Sequence, residues 1–246
     1  MGRTSGTLDP GEIARFAAQG ESWWDPEGSF GTLHRVNPVR LGFIRQHLEA
    51  HFCRDRFLLR PFDGLTLLDI GCGGGLVAEP MARLGFAVTG IDAGAEAIDA
   101  ARTHAEAMGL AIDYRVTAAE SFAESGRSFD TVLALEVIEH LADQADFFAA
   151  VGDLVRPGGA FIGATLNRTL KSFALAILGA EYILRWLPPG THHWRKFLRP
   201  SEFVLGLRRN GFVATQLAGL TYDLRGGAWS LSSDLEVNYM VVAVRQ

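Results

Sequence analysis

Two short stretches of this 246-residue chain carry residues whose types and spacing could do chemistry. The first is Asp69-Ile70-Gly71-Cys72-Gly73-Gly74-Gly75, followed by an acid, Asp92, 21 residues beyond Gly71. Glycines let a backbone turn sharply and approach a ligand with no Cβ in the way. A carboxylate at the end of the next strand can accept both hydroxyls of a ribose, or it can cap the helix that follows. The second stretch is Glu136-Val137-Ile138-Glu139-His140. On a helical turn, positions i, i+3 and i+4 share one face, so Glu136, Glu139 and His140 could converge. Two carboxylates and an imidazole could bind a divalent cation such as Mg2+. Alternatively, His140 is a general base oriented by Glu139, or the two acids favour the positive start of a helix while His140 packs.

The spacing of the glycines bears on which ligand they serve. A G-x-G-x-x-G dinucleotide fingerprint starting at Gly71 requires glycine at position 76, where Leu76 stands. Starting at Gly73 it meets Ala78 at the last position, a permitted variant, so a nucleotide-dependent (NAD) oxidoreductase stays open on this ground. Asp69 is the better witness. Asp-x-Gly-x-Gly-x-Gly at a strand end suits a ligand with a cationic amino-acid tail and no pyrophosphate. Cys72, inside the loop, reads as a small packed side chain rather than a redox group.

These residues need a scaffold, and the pattern around them supplies one. Apolar runs at 66–70, 87–91, 112–116, 129–135 and 160–165 read as strands. They alternate with helical patterns at 76–84, 95–108 and 144–155, which predicts a parallel sheet covered on both faces and, with right-handed crossovers, a doubly wound α/β fold. After a helix at 200–210, runs at 212–220 and 237–244 read as an antiparallel pair joined by a long hairpin connection over 221–236. Upstream, a short helix is predicted at 12–19 and a second from Asn37-Pro38 to about Phe52, with Asn37 as cap and Pro38 at the first helical position.

Composition bounds the rest. Apolar residues make 48% of the chain and charged ones 21%, which excludes disorder as the overall description. The formal net charge of −5 argues against a nucleic-acid partner, which would need a surplus of Lys and Arg. Two cysteines, Cys53 and Cys72, make neither a disulfide framework nor a zinc site. The mean hydropathy of +0.12 is greasy, yet no apolar run is long enough to span a bilayer. No export or organelle signal is read in residues 1–10, so a cytoplasmic location is expected.

The residues at the sheet resemble the class I S-adenosylmethionine-dependent methyltransferases. Leu68 to Gly75 is similar to their first motif, Asp92 to their acidic ribose ligand, Ser128-Phe129-Asp130-Thr131-Val132 to their fourth-strand motif, and Arg156-Pro157-Gly158-Gly159 to the turn before strand five. That resemblance implies a seven-stranded, mostly parallel sheet closed by a C-terminal antiparallel hairpin. Segments outside the core narrow it. Trp23-Trp24-Asp25, Leu33 to Arg40, Thr165-Leu166-Asn167-Arg168, Gly179 to Arg185 and Val237-Asn238-Tyr239 resemble the ubiquinone-biosynthesis O-methyltransferase family, with similarity from about Glu12 to Val244.

The resemblance implies S-adenosylmethionine as methyl donor and two methylations, of a polyprenyl-catechol and of a demethylubiquinol. It places cofactor contacts at Arg40, Gly71, Asp92 and Leu135, alongside Asp69, Gly73 and Gly75. A phenol with a pKa near ~10 is mostly neutral at pH 7, so a base or a metal must help it lose its proton. Glu136, Glu139 and His140 are the candidates for either role. The domain reading is a disordered tail at 1–11, an N-terminal helical cap at 12–63, and a methyltransferase domain at 64–246 carrying an insertion at 167–199.

That insertion is apolar over 172–187, apart from Glu181 and Arg185, and it is flanked by Arg168, Lys171, Trp194, Arg195, Lys196 and Arg199. Residues 168–199 hold six Lys/Arg against one Asp/Glu. Such a segment suits an anionic lipid surface or a lid over the substrate. Peripheral association with the inner membrane is the expectation, with other quinone-pathway enzymes as further partners. The competing functions are a methyltransferase acting on another small phenol, the NAD-dependent oxidoreductase, and a non-enzymatic scaffold on a relict cofactor fold.

Overall fold

In the computed structural model, the structure describes residues 23–141, 143–174, 194–223 and 226–246. The first described helix, α1 (Gly31–His51), precedes a regular alternation of strands and helices. This runs β1 (Thr66–Ile70), α2 (Ala78–Arg83), β2 (Ala87–Asp92), α3 (Ala95–Ala107), β3 (Asp113–Val116), α4 (Ala119–Ala123), β4 (Phe129–Leu135), α5 (Gln144–Leu154) and β5 (Val155–Leu166). A single helical turn, α6 (Leu170–Ser172), then α7 (Pro200–Arg209) lead to β6 (Phe212–Asp223), β7 (Ala228–Ser232) and β8 (Asn238–Arg245).

The strands form one sheet in the order β3-β2-β1-β4-β5-β8-β6-β7. The first five are parallel, and β8, β6 and β7 are antiparallel to their neighbours. The doubly wound α/β expectation holds, but the sheet has eight strands rather than seven. The extra strand lies in the stretch read as hairpin connection. β6 continues to Asp223, and Ala228–Ser232 folds back on it with Tyr222 opposite Trp229. Trp229 packs onto the core, so a short and mostly exposed edge strand is held by one large ring.

Alternate residues along the buried strands feed two cores. Leu67, Val88, Leu133 and Ile162 meet α1, α2 and α3 on one face. Leu68, Ile91, Val132 and Phe161 meet α4, α5 and α7 on the other. The start of α1 departs from expectation. Asn37 does not cap the helix; it is buried, and its amide Nδ2 donates to the Leu76 carbonyl at 3.4 Å. The helix begins seven residues earlier, at Gly31 rather than Pro38, and carries Pro38 inside it. Packing of Val36, Phe43, Ile44 and Leu48 against the sheet outweighs the hydrogen bond that Pro38 cannot donate. The helix predicted at 12–19 and the tail at 1–11 lie outside the described residues.

Candidate active site

β1 and β4 are neighbours, and strand order reverses between them, which is where ligands bind in such sheets. The loop after β1 and the segment after β4 therefore lie side by side. Ile70 pairs with Ala134, and a Cβ built on Gly71 would sit 2.5 Å from Val137 Cγ2. Gly71, Gly73 and Gly75 have φ of 68°, 51° and 90°, a left-handed region open to glycine at little cost. The loop is tied to β2 where the N–H groups of Gly71 and Cys72 both donate to the Ile91 carbonyl, at 2.8 and 3.1 Å.

Asp92 braces the same loop. Its Oδ2 accepts the Gly73 N–H at 3.0 Å and its Oδ1 the Gly94 N–H at 2.8 Å. It is not the cap of α3, since Gly94 holds that place. Burial raises its carboxyl above the ordinary range, against the pull of these backbone donors. Asp69 lies deeper. The Ala78 N–H at the start of α2 stabilises its charged form, while Oδ2 is buried with no hydrogen-bond partner. Burial first, then the charge of Asp92, pushes Asp69 up to about 7. A buried acid with an empty acceptor fits a ligand that brings an ammonium group. Two residues before the glycine loop, it fits the amino-acid tail of S-adenosylmethionine. Cys72 is buried below, its thiol pushed well up by burial and by both acids.

The segment after β4 is not the helical turn that the spacing suggests. Glu136 has a φ of 55°, and only Ile138–His140 winds, as a 3-10 turn. The i, i+3, i+4 relation is lost, and the three side chains go separate ways. Glu136 pairs with the buried Arg40 of α1. Glu139 turns inward, where Thr165 Oγ1 of β5 donates to its Oε2 at 2.8 Å and Oε1 has no partner. His140 is half-exposed. Among the described residues no group of three or more His, Cys, Asp or Glu is placed to hold a metal ion, so the predicted Glu136, Glu139, His140 metal site is not assembled. Burial raises the Glu139 carboxyl, His140 acts against that rise, and Glu136 adds to it. Leu135 ends β4, opposite Ala164 of β5, and packs on the core beside the loop.

Two contributors have no site role in the sequence reading: Trp23 and Thr165 enter it only within the family-like segments Trp23-Trp24-Asp25 and Thr165-Leu166-Asn167-Arg168. Trp23 lies across the glycine loop: a Cβ on Gly73 would meet its Cη2 at 2.4 Å, and one on Gly74 its Cγ at 2.4 Å. Trp24 Nε1 donates to the Gly74 carbonyl at 2.9 Å, and its ring stacks on His104 at 3.5 Å.

A family model described as a methyltransferase domain matches residues 45–217. The ubiquinone biosynthesis O-methyltransferase of Paramagnetospirillum magneticum is 54% identical over 98% of this chain and 96% of its own length. That of Caulobacter vibrioides is 52% identical over 98% and 96%. The chain belongs to the ubiquinone biosynthesis O-methyltransferase family. It is an S-adenosylmethionine-dependent O-methyltransferase of ubiquinone biosynthesis, which sets aside the oxidoreductase and relict-scaffold readings. The family fold extends to distant enzymes. Magnesium protoporphyrin IX methyltransferase from Synechocystis, solved with bound SAH, superposes with a TM-score of 0.62 at 20% identity, over 96% of this chain and all of that one.

Proposed function

We propose that this family member methylates a phenolic oxygen of a polyprenylated catechol and of a demethylubiquinol, with His140 taking the phenolic proton. The observation that carries the catalytic assignment is Glu139: buried, held by Thr165, electrostatically coupled to His140, and next to the glycine loop across the β1–β4 reversal. Asp69, Gly71, Gly73, Gly75, Asp92, Arg40 and Leu135 hold the cofactor, which supplies a methyl group on a sulfonium. With the cofactor bound, its methyl carbon would pass to the phenolic oxygen while the electron pair of the broken carbon–sulfur bond would stay on sulfur. His140 accepts the proton, and the charge of the nearby Glu139 favours its cationic form. Arg40 and Glu136 pin α1 to the end of β4.

The test is single-turnover methyl transfer to a prenylated catechol, a prenylated demethylubiquinol and an unprenylated catechol. His140→Ala lowers the rate on the order of 10²–10⁴-fold with SAM affinity kept, and Glu139→Gln lowers it less and changes the pH profile. Both prenylated acceptors outrun the unprenylated one. Unimpaired turnover by His140→Ala would overturn the assignment. A rate that falls on chelation and returns with Mg2+ would replace direct proton transfer by an ion gathered from Glu136, Glu139 and His140.

We also propose that the insertion at 167–199 meets an anionic membrane surface, where a prenylated substrate resides. No helix among the described residues is long and apolar enough to cross a membrane. At the mouth of the insertion, Leu170 is 81% exposed and Phe173 40%. Part of the positive charge is already neutralised: Arg168 pairs with Glu202, and Lys171 Nζ with Asp234 at 2.6 Å and Glu236 at 2.8 Å. Arg195 and Lys196 share a 3-10 turn with Trp194, and charge reversal at these two positions tests the proposal. The apolar stretch over 172–187, with Glu181 and Arg185, lies mostly outside the described residues.

A further inference from the structure

Among the described residues, three side-chain N–H donors are buried without a partner: Trp23 Nε1, Arg40 Nε and Arg54 Nε. Arg54 follows α1, beyond its C-terminal end, but the other two are built around the glycine loop. Arg40 follows Asn37 by three residues, one helical turn beyond the amide that touches Leu76, and uses Nη2 on Glu136. Trp23 is only 8% exposed and packs with Phe30, Leu76 and Ala97 over the ends of β1 and β2.

The Trp23 ring is held in place from several sides. It stacks on Phe30 at 3.7 Å with the planes 8° apart. His34 Nε2 lies 2.8 Å from the Trp23 carbonyl, and Trp24 is tied to Gly74. An indole N–H left unpaired in such a place costs free energy, and a fixed, unpaired donor is what a ligand acceptor satisfies. The end of β1, which leads into the same loop, offers an unpaired buried acceptor, Asp69 Oδ2. An amino-acid tail has an ammonium that needs an acceptor and a carboxylate that needs donors, and the loop presents both halves of that requirement.

We propose that Trp23 positions S-adenosylmethionine by donating its indole N–H to the carboxylate of the amino-acid tail, while Asp69 receives the ammonium. Trp23 thereby selects for a cofactor that carries the carboxylate. The Trp23-Trp24 pair is then a working part of the cofactor site rather than packing over it.

The test is calorimetry of SAM and of decarboxylated SAM with the full-length wild-type protein and Trp23→Phe. Phenylalanine keeps an aromatic ring against Phe30 and the glycines but has no N–H. The expected result is about tenfold weaker SAM binding by Trp23→Phe, in line with a charge-assisted hydrogen bond, with decarboxylated SAM binding equally to both proteins. Equal SAM affinity in the two proteins would overturn the proposal, as would the same loss for both ligands, since that would mark ring shape alone. Should Trp23→Phe fold poorly, the wild-type protein still decides. The Trp23 indole N–H resonance moves downfield with SAM and not with decarboxylated SAM if the proposal holds, and responds alike to both if it fails.

Discussion

Asp69 is held at a cost that only a cationic ligand removes. Its carboxyl is pushed from 3.8 to about 7, so ionising it burdens the ligand-free fold as pH rises through that window and protonation relieves the burden below it. Asp69→Asn is therefore expected to raise the thermal midpoint of the ligand-free protein at pH 8, with little change at pH 4, while SAM affinity drops. Scanning calorimetry at the two pH values reads the first effect and titration calorimetry the second; an unchanged midpoint at pH 8 would contradict it. The wild type should also release a proton on binding SAM near pH 6.5, and Asp69→Asn should not. This acid, the glycines and Asp92 were legible in the sequence because they sit within one strand-loop-strand unit of about thirty residues, where spacing alone places them. The Arg40–Glu136 pair was not, since 96 positions separate its members and only the folded chain brings them together. The expected metal triad failed for a local reason. A single left-handed residue, Glu136, undoes the helical periodicity on which that expectation rested.

At the level of elements, the parallel half of the sheet was readable because each buried strand is a short apolar run between clear turns. β4 begins and ends where the sequence suggests, at Phe129 and Leu135. Two elements were less legible. The N-terminal limit of α1 was hidden because Asn37-Pro38 has the form of a helix start, yet tertiary burial of Val36 and Phe43 carries the helix through it. β7 was hidden because it is a five-residue edge strand, mostly exposed, in which only Trp229 reaches the core. Trp229→Ala should therefore cost about 2 kcal/mol, less than a fully buried ring would, and lower the midpoint by roughly 4–8 °C. Leu231→Ala, at a position 43% exposed, should leave it within about 1 °C. Equal effects at both positions would mean that β7 is not anchored by its tryptophan.

Across the whole molecule, charge and greasiness are unevenly spread. Outside residues 168–199 the chain carries 17 Lys/Arg against 27 Asp/Glu, so the acidic average conceals a basic, apolar segment. Co-sedimentation with anionic vesicles at low salt should retain the wild type, release it as salt rises, and lose the Arg195→Glu/Lys196→Glu double variant. Failure of the wild type to bind at low salt would refute the membrane reading. The strand order has a consequence of a different kind. β6 touches the rest of the sheet only through β8, which is inserted between it and β5 although it comes later in the chain. The β6–β7 hairpin therefore gains its place in the sheet only when residues 238–245 have paired with β5. A chain truncated after Glu236 would keep the hairpin but leave it without a neighbour, and would leave the edge of β5 open to another strand.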